Sequence, residues 1–446
     1  MWRGATVWHT EDGGVEALVA NWMDGLSLSH EPGILGAMQL RYRFRLHPTP
    51  AQRTALARAF GCARVVYNDG LRLREEAYRA GLPWLSDSDL LRLVTTEAKR
   101  TPDRAWLAEV SAVVLQQSVA DLHRAYRNYF AALTEVKTQR AKGNKQAKLR
   151  VRKPKLKRRH HDQAIRFTAN SRFRVLSNGR LRLPKVGDLR VRWSRELPSS
   201  PSSVTITLDG AGRYYASFVV QILEVPLPAT RAEVGIDLGL THFATFSTGE
   251  KVTNPLWLRQ RQKALRRAQR SLSRRQKGSN NRDKQRRKVA KLHARVADAR
   301  RDFHHQLSAR LIRENQAVVA EKLNVAALGR SNLARSIHDA GWSSFVAMLE
   351  YKAALLGRRV VKIDQWHPSS QLCSACGQRS GPKGLAALKV RTWTCLACGT
   401  EHDRDVNAAL NILAAGRAVA ACGPDVRPLA RVAAGVEAGT ALAGPG

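Results

Sequence analysis

The stretch Val234-Gly235-Ile236-Asp237-Leu238-Gly239 decides the fold of the second half of the chain, because it sets a carboxylate inside an apolar run. Such a run is typical of a buried strand, where an unpaired charge is costly. The stretch Ala317-Val318-Val319-Ala320-Glu321 repeats the arrangement, with an acid closing an apolar run. We therefore expect an α/β domain in which two strands each carry a carboxylate.

A third acidic position follows near the C-terminus, where Asp403 and Asp405 open a helix that runs through Ile412. Two carboxylates from strands and one from a following helix are typical of RNase H-like folds, in which they hold two Mg²⁺ ions about 4 Å apart for phosphodiester hydrolysis. Each acid alone has an ordinary explanation, since Asp237 can end a strand and Asp403 or Asp405 can cap the helix. The residues by themselves leave the choice between Asp403 and Asp405 open.

Two CxxC pairs, Cys373 with Cys376 and Cys395 with Cys398, are separated by 18 residues. Zinc prefers four thiolates in a tetrahedron, and two such pairs on a short hairpin supply them. The spacing predicts one structural Zn²⁺ held by all four cysteines. It says little about function, because zinc ribbons occur in many folds.

Charge sets the class of partner. The chain has 446 residues, with 75 Lys and Arg against 36 Asp and Glu, a formal net charge of +39. A chain this basic most often binds a polyanion, usually nucleic acid. Neither a secretory signal nor an apolar run long enough to span a membrane is apparent, so we expect a cytoplasmic protein without a membrane partner.

The first half of the chain reads as a helical bundle and a small β-barrel. Leu40 to Leu46 alternates between apolar and basic residues, which predicts a strand, and Thr49-Pro50-Ala51-Gln52 predicts a helix that starts with a capping box. Apolar residues at helical spacing from Leu115 to Leu133 predict a long amphipathic helix. Asn178-Gly179, between two alternating runs, predicts a type I′ hairpin.

Two segments are strongly basic. Residues 137–159 hold twelve Lys and Arg and no acid, and residues 259–301 hold eighteen against two acids. The second segment is broken at Gly278-Ser279-Asn280-Asn281, which predicts a helical hairpin. A solvated surface is the simple interpretation, but contact with polyphosphate is favoured where acids are missing.

These motifs, taken in order, resemble the TnpB family of transposon-encoded nucleases, from which the miniature type V CRISPR effectors descend. The resemblance is carried by Gly235 to Gly239, Val319 to Val325, the four cysteines and His402 to Ile412, with further matches from Tyr42 to Gln52 and from Pro368 to Cys373. It implies an RNA-guided DNA endonuclease with a RuvC-type, RNase H-like active site. Asp237, Glu321 and Asp405 match the catalytic carboxylates and the ligands of two Mg²⁺ ions, which makes Asp403 a neighbour.

The resemblance also implies partners, which are a guide and scaffold RNA and a double-stranded target DNA. A short motif in that DNA would be read by Ser88, Gln116, Thr168 and Trp84. The expected segments are an N-terminal extension 1–37 that is dispensable, a first wedge strand 38–49, a helical recognition lobe 50–136, a basic linker 137–163, a wedge β-barrel 164–229, a RuvC domain 230–366 with the basic hairpin, the zinc ribbon 367–400, a RuvC C-terminal part 401–422 and a disordered tail 423–446.

Three other functions stay open. A miniature type V CRISPR effector would contain the same parts. A guide-dependent repressor would bind DNA without cutting, but it is disfavoured because all three carboxylates are present. A transposase that joins strands is disfavoured by the zinc ribbon and the barrel.

Overall fold

A computed structural model describes residues 37–159, 163–223, 225–383 and 389–422. The expected N-terminal extension, apart from its last residue, and the expected disordered tail lie outside these ranges. The chain forms two compact units. One contains residues 37–225 and Trp257–Gln306, and the other contains Pro226–Leu256 and the described residues from Leu307 onward.

The first unit is built on a seven-stranded antiparallel sheet that is curled into a half-barrel. Its strands are β1 (Ala37–His47), β2 (Gln163–Thr168), β3 (Arg174–Val175), β4 (Arg180–Leu183), β5 (Gly187–Arg192), β6 (Ser203–Leu208) and β7 (Tyr214–Leu223), in the spatial order β2-β6-β7-β1-β5-β4-β3. In β1, Leu40, Tyr42, Phe44 and Leu46 are buried while Arg41 is exposed. The predicted strand with one apolar face is therefore confirmed.

The prediction of a type I′ turn at Asn178-Gly179 is wrong. That turn requires positive φ at both central residues, whereas of these two residues Gly179 has positive φ, at 74°, and Asn178 does not. The backbone N–H of Gly179 donates to the carbonyl oxygen of Leu176 at 2.9 Å, so the turn spans residues 176–179 and starts one residue earlier than the predicted turn over 177–180. Glycine then supplies the one left-handed position that the longer loop needs.

Helices pack beside this sheet in the same unit. They are α1 (Pro50–Arg79), the short α2 (Asp87–Leu91) and α3 (Ala112–Ala141), with π-helical and 3₁₀ turns between Arg92 and Glu109. The capping box is present, because the Thr49 hydroxyl accepts from the Gln52 N–H and the Gln52 side chain accepts from the Thr49 N–H. The predicted long amphipathic helix is α3, whose buried residues include Leu115, Leu122 and Tyr126.

The basic hairpin is made of α4 (Trp257–Ser273) and α5 (Asn280–Glu314), as the break at Gly278 predicts. As far as Gln306 it belongs to the unit that contains the seven-stranded sheet. Arg213, between β6 and β7, forms ion pairs with Asp209 at 2.7 Å and with Asp298 of α5 at 2.5 Å. This arginine therefore ties the hairpin to the sheet.

The second unit contains a five-stranded sheet of the RNase H-like kind. Its strands are β8 (Glu233–Asp237), β9 (His242–Phe246), β10 (Lys251–Thr253), β11 (Ala317–Glu321) and β12 (Arg359–Ile363), in the order β10-β9-β8-β11-β12. The β10-β9-β8 part is antiparallel, whereas β8, β11 and β12 run parallel. The carboxyl ends of β8 and β11 therefore meet at one edge of the sheet.

The described residues of this unit form four helices besides the end of α5. They are α6 (Val325–Leu328), α7 (Ala334–Ala340), α8 (Trp342–Leu355) and α9 (Arg404–Cys422). Helix α9 lies directly against the sheet, since Leu413 and Ile412 pack with Val319 and Ile363. A Cβ added to Gly416 would be 2.3 Å from Cγ1 of Val319, so only glycine fits at this approach.

The cysteine segment lies between β12 and α9. Its two strands, β13 (Thr392–Thr394) and β14 (Glu401–Asp403), pair antiparallel, and β14 leads directly into α9. Across the described part of the chain, no helix is long and apolar enough to cross a membrane.

Candidate active site

Two carboxylates close the two central parallel strands of the RNase H-like sheet. Asp237 is the last residue of β8 and Glu321 the last of β11. The register pairs Ile236 with Ala320, so Asp237 and Glu321 occupy the next positions on adjacent strands. Neighbouring strands lie about 4.8 Å apart, which brings the two side chains to the same edge of the sheet.

The third acid comes from the first turn of α9. The negative charge of Asp405 is one of the causes that raise the pKa of Asp237. Burial, together with the negative charges of Glu321 and Asp405, raises the pKa of Asp237 to about 7, while the positive charge of Arg404 opposes the rise. A buried carboxylate whose charge is disfavoured by two neighbouring carboxylates belongs to the kind of donor set that a hard divalent cation neutralises.

Glu321 is held by a hydroxyl. Ser369 Oγ donates to Glu321 Oε1 at 2.5 Å. Burial raises the pKa of Glu321, and this hydrogen bond opposes the shift because it stabilises the ionised form.

Asp403 and Asp405 differ clearly in their contacts. Asp403 Oδ1 accepts from the N–H groups of Asp405 and Val406 at 3.1 and 3.0 Å, and its other oxygen pairs with Lys251 Nζ at 2.5 Å. Partial burial opposes ionisation of Asp403, but the bonds from Lys251 and the backbone outweigh it and lower the pKa. Asp403 is thus a helix cap with a cation partner, which leaves Asp405 as the acid that faces the other carboxylates.

Two further side chains approach Asp405. Arg391 Nη1 lies 3.4 Å from Asp405 Oδ1, and His242 Nδ1 lies 3.8 Å from Asp405 Oδ2. The Nδ1 atom of His242 is buried and makes no hydrogen bond within the described ranges. Sequence reasoning missed both residues. For His242 the available signal was its place at the start of β9, the strand that pairs with β8.

The four predicted zinc ligands come together. Their sulfur atoms all lie within 4.8 Å of one another, and the pairs Cys373–Cys398 and Cys376–Cys395 are 3.6 and 3.7 Å apart. Zn–S bonds of about 2.3 Å in a regular tetrahedron place sulfur atoms about 3.8 Å apart. The cluster therefore has the dimensions of a zinc site. Among the described residues the three carboxylates do not form a set this compact.

Side chains around the cluster contact its sulfur atoms. His402 Nε2 lies 3.0 Å from the sulfur of Cys373, and Ser380 Oγ lies 3.1 Å from that of Cys395. The His402 ring also packs on Trp393, with ring centroids 4.7 Å apart. Hydrogen bonds of this kind orient metal ligands.

The residues expected to read a DNA motif lie in the first unit. Ser88 and Gln116 are exposed on α2 and α3, and Thr168 ends β2. Trp84 is 49% exposed, and its ring packs edge-on against Tyr126 with centroids 5.1 Å apart. These contacts give Trp84 a packing role.

The basic segment after α3 is mostly exposed, and it contacts α1 through Lys153, which pairs with Glu75 at 3.3 Å, and through Lys157. Asn68 exchanges two hydrogen bonds with the backbone of Lys157, at 2.8 and 3.0 Å, and the Lys157 ammonium lies 4.0 Å from the centroid of the Tyr67 ring. The segment therefore presents its other cations on an anchored backbone.

An RNase H-like sheet that ends two adjacent parallel strands in carboxylates is typical of the RuvC class of nuclease domain. Family comparisons agree. The OrfB_IS605 model, described as "Probable transposase", matches residues 217–332, the model "Cas12f1-like, TNB domain" matches 342–412, and the "Helix-turn-helix domain" model of the OrfB_IS605 group matches 38–82. In this chain the last segment forms β1 and α1 rather than two helices.

Curated relatives identify the family. A protein of Streptomyces pristinaespiralis named "Putative RNA-guided DNA endonuclease" is 45% identical over 394 residues, which cover 87% of this chain and 92% of the relative. InsQ of Escherichia coli K12, named in the same way, is 31% identical over 87% of this chain and 96% of its own length. The chain belongs to the TnpB family.

A solved structure titled "Cryo-EM structure of the Cas12f1-sgRNA-target DNA complex" matches with a TM-score of 0.49 and 14% identity, over 81% of this chain and 82% of that one.

Proposed function

We propose that the chain is an RNA-guided DNA endonuclease of the TnpB type that cuts target DNA beside a short flanking motif. The observation that carries the proposal is the convergence of Asp237, Glu321 and Asp405 at one edge of the RNase H-like sheet. The names of the curated relatives support the same activity.

Asp237, Glu321 and Asp405 would hold the Mg²⁺ ions. When bound, such a pair of ions supplies an activated water and stabilises the leaving oxygen of the phosphodiester. The chain's own contribution is to assemble the three carboxylates on two strand ends and one helix start. Asp403 caps that helix, and Arg391 lies beside Asp405 as a counter-charge.

Zinc would be a structural ion held by the four cysteines. The sulfur spacing supports this assignment, and four thiolates leave no open position for a substrate. We expect the ion to stabilise the ribbon and the start of α9 that follows it.

Guide and scaffold RNA and double-stranded DNA would bind along the basic segments. We assign the helices α1 to α3 to the recognition lobe and the seven-stranded sheet to the wedge. Ser88, Gln116 and Thr168 remain candidates for reading the flanking motif. A protein of this kind recognises the sugar–phosphate backbone of the heteroduplex. Exposed cations suit that kind of contact better than a groove that reads bases does.

The test is to reconstitute the protein with its co-purifying RNA, exchange the guide segment, and sequence the cut sites. We expect cutting only where the new guide matches a target beside the correct motif. Cut sites that do not change with the guide, or equal cleavage without RNA, would show that the protein is a guide-independent nuclease. A CRISPR effector is distinguished by an adjacent CRISPR array, and a repressor by binding without cutting.

A further inference from the structure

The hydroxyl of Ser369 is placed to fix one of the proposed metal ligands. Ser369 is buried, at 7% exposure, and its Oγ donates to Glu321 Oε1 at 2.5 Å. A hydroxyl carries a single proton, so Ser369 holds only one of the two carboxylate oxygens of Glu321, which is Oε1. A carboxylate at the end of a strand is otherwise free to rotate about its side-chain bonds.

Ser369 is itself held from two sides. Its N–H donates to the carbonyl oxygen of His367 at 2.8 Å, and its carbonyl oxygen accepts from Asn411 Nδ2 at 2.8 Å. Asn411 belongs to α9, the helix that carries Asp405. The serine therefore connects the strand-borne carboxylate with the helix-borne one.

The same helix is also bound to the first cysteine pair. Asn407 Nδ2 and Asn411 Nδ2 both donate to the carbonyl oxygen of Leu372, at 2.7 and 2.8 Å, and Asn407 Oδ1 accepts from the Ser374 N–H at 2.8 Å. Leu372 precedes Cys373 and Ser374 follows it. Both asparagines are buried, and their spacing of four residues puts them on one face of α9.

We propose that Ser369 is a positioning residue for Glu321. Asn407 and Asn411 hold Ser369, and the helix that carries Asp405, against the backbone of the cysteine ribbon. The ligand that this arrangement serves is the divalent cation of the nuclease site, so the inference rests on the proposed function. Outer-shell partners of metal ligands change metal affinity 10- to 100-fold when they are removed. Loss of the Ser369 hydroxyl should weaken binding of Mg²⁺ by about 10-fold.

The test compares Ser369→Thr with Ser369→Val in the full-length protein. The two side chains have nearly the same shape, so any packing defect is shared and only the hydroxyl differs. Binding is measured without nucleic acid, as the rise in melting temperature with added Mg²⁺, and zinc content is measured in parallel. Ser370→Ala removes the neighbouring hydroxyl and serves as the control.

We expect Ser369→Thr and Ser370→Ala to follow the Mg²⁺ dependence of the wild type, whereas Ser369→Val requires about 10-fold more Mg²⁺ with unchanged zinc content. Equal Mg²⁺ dependence for the Thr and Val variants would overturn the proposal. Glu321→Ala distinguishes the two levels of inference. If it responds to Mg²⁺ as the wild type does, the proposed metal site itself is wrong.

Discussion

Gly235 of β8 lies so close to α9 that a Cβ on it would be 2.2 Å from the carbonyl oxygen of Ala409. The contact sets the distance between the strand that ends in Asp237 and the helix that carries Asp405 in its first turn. Backbone on both sides leaves no flexible group that could move aside.

Gly235→Ala should therefore displace α9 and destabilise the second unit by about 1 to 3 kcal/mol. We expect a lower melting temperature and a loss of cleavage with the three carboxylates intact. Gly61→Ala is the matched control, because a Cβ there would meet only Arg64 Nη2, at 4.0 Å. The control should melt at or above the wild-type temperature, since alanine suits a helix better than glycine does. Similar melting temperatures for both variants would contradict the packing argument.

Alanine at Asp405 should abolish cleavage while target binding is kept, because binding depends on the basic segments and on base pairing. Alanine at Asp403 should instead remove a helix cap, lowering stability by about 1 kcal/mol, and leave cleavage in place. Cleavage assays and binding assays on both variants check this. Cleavage kept in Asp405→Ala and lost in Asp403→Ala would show that the assignment of the two aspartates is reversed.

Asp237 should make the stability of the Mg²⁺-free protein depend on pH. The unfolded chain ionises this group near its ordinary pKa of 3.8, but the folded protein keeps it protonated up to about 7. The stability that Asp237 contributes below pH 4 is therefore lost as the pH rises towards 7. The asparagine of Asp237→Asn cannot ionise, so we expect the melting temperature of this variant to rise relative to that of the wild type between pH 4 and pH 7.

Thermal melts of both proteins across the pH range, in buffer without Mg²⁺, check this. Asp103→Asn changes an exposed aspartate and is the control. A constant difference between Asp237→Asn and the wild type from pH 4 to pH 7 would argue against the shifted ionisation.

The site illustrates what a sequence discloses and what it does not. Asp237 and Glu321 could be located because Asp237 stands inside an apolar run and Glu321 ends one, so in each case the strand and its carboxylate are read from the same few residues. Ser369 could not be found in this way, because its partner Glu321 is 48 residues away and the contact exists only after β11 and the ribbon have packed. Choosing Asp405 over Asp403 required the family resemblance, because either residue can cap a helix.

The tertiary contacts of the basic hairpin also could not be predicted from the sequence. Its helices could be predicted from the break at Gly278, but its packing partner could not. Arg213 and Asp298 are 85 residues apart, and nothing in either local sequence distinguishes this ion pair from an exposed one. Charged surfaces carry little periodic signal, so their tertiary contacts are read from the structure alone.

Removal of zinc should affect the nuclease site as well as the ribbon. Cys395→Ser is expected to lose the ion, loosen β14 and the start of α9, and reduce cleavage, because metal binding supplies local folding energy. Elemental analysis, melting and cleavage are measured together. Cys62→Ala removes a thiol outside the cluster and should keep one zinc per chain. Full cleavage by a zinc-free protein would contradict this coupling.

The last prediction concerns the basic hairpin as an RNA contact. Lys284, Arg287 and Lys291 are exposed on α5 at spacings of three and four residues, so they share one face. Each phosphate contact contributes about 0.7 to 0.9 to the slope of log affinity against log salt concentration, so replacing all three by alanine should reduce that slope by about two to three. The effect should appear equally with any guide sequence, because phosphate contacts carry no sequence information.

The control replaces three exposed arginines that already pair with acids, Arg58, Arg92 and Arg182. Their charges are compensated within the protein, so the control should keep nearly the full slope. Salt titrations of RNA binding by both triple variants check this, and equal slopes would move the RNA contact away from the hairpin and towards residues 137–159.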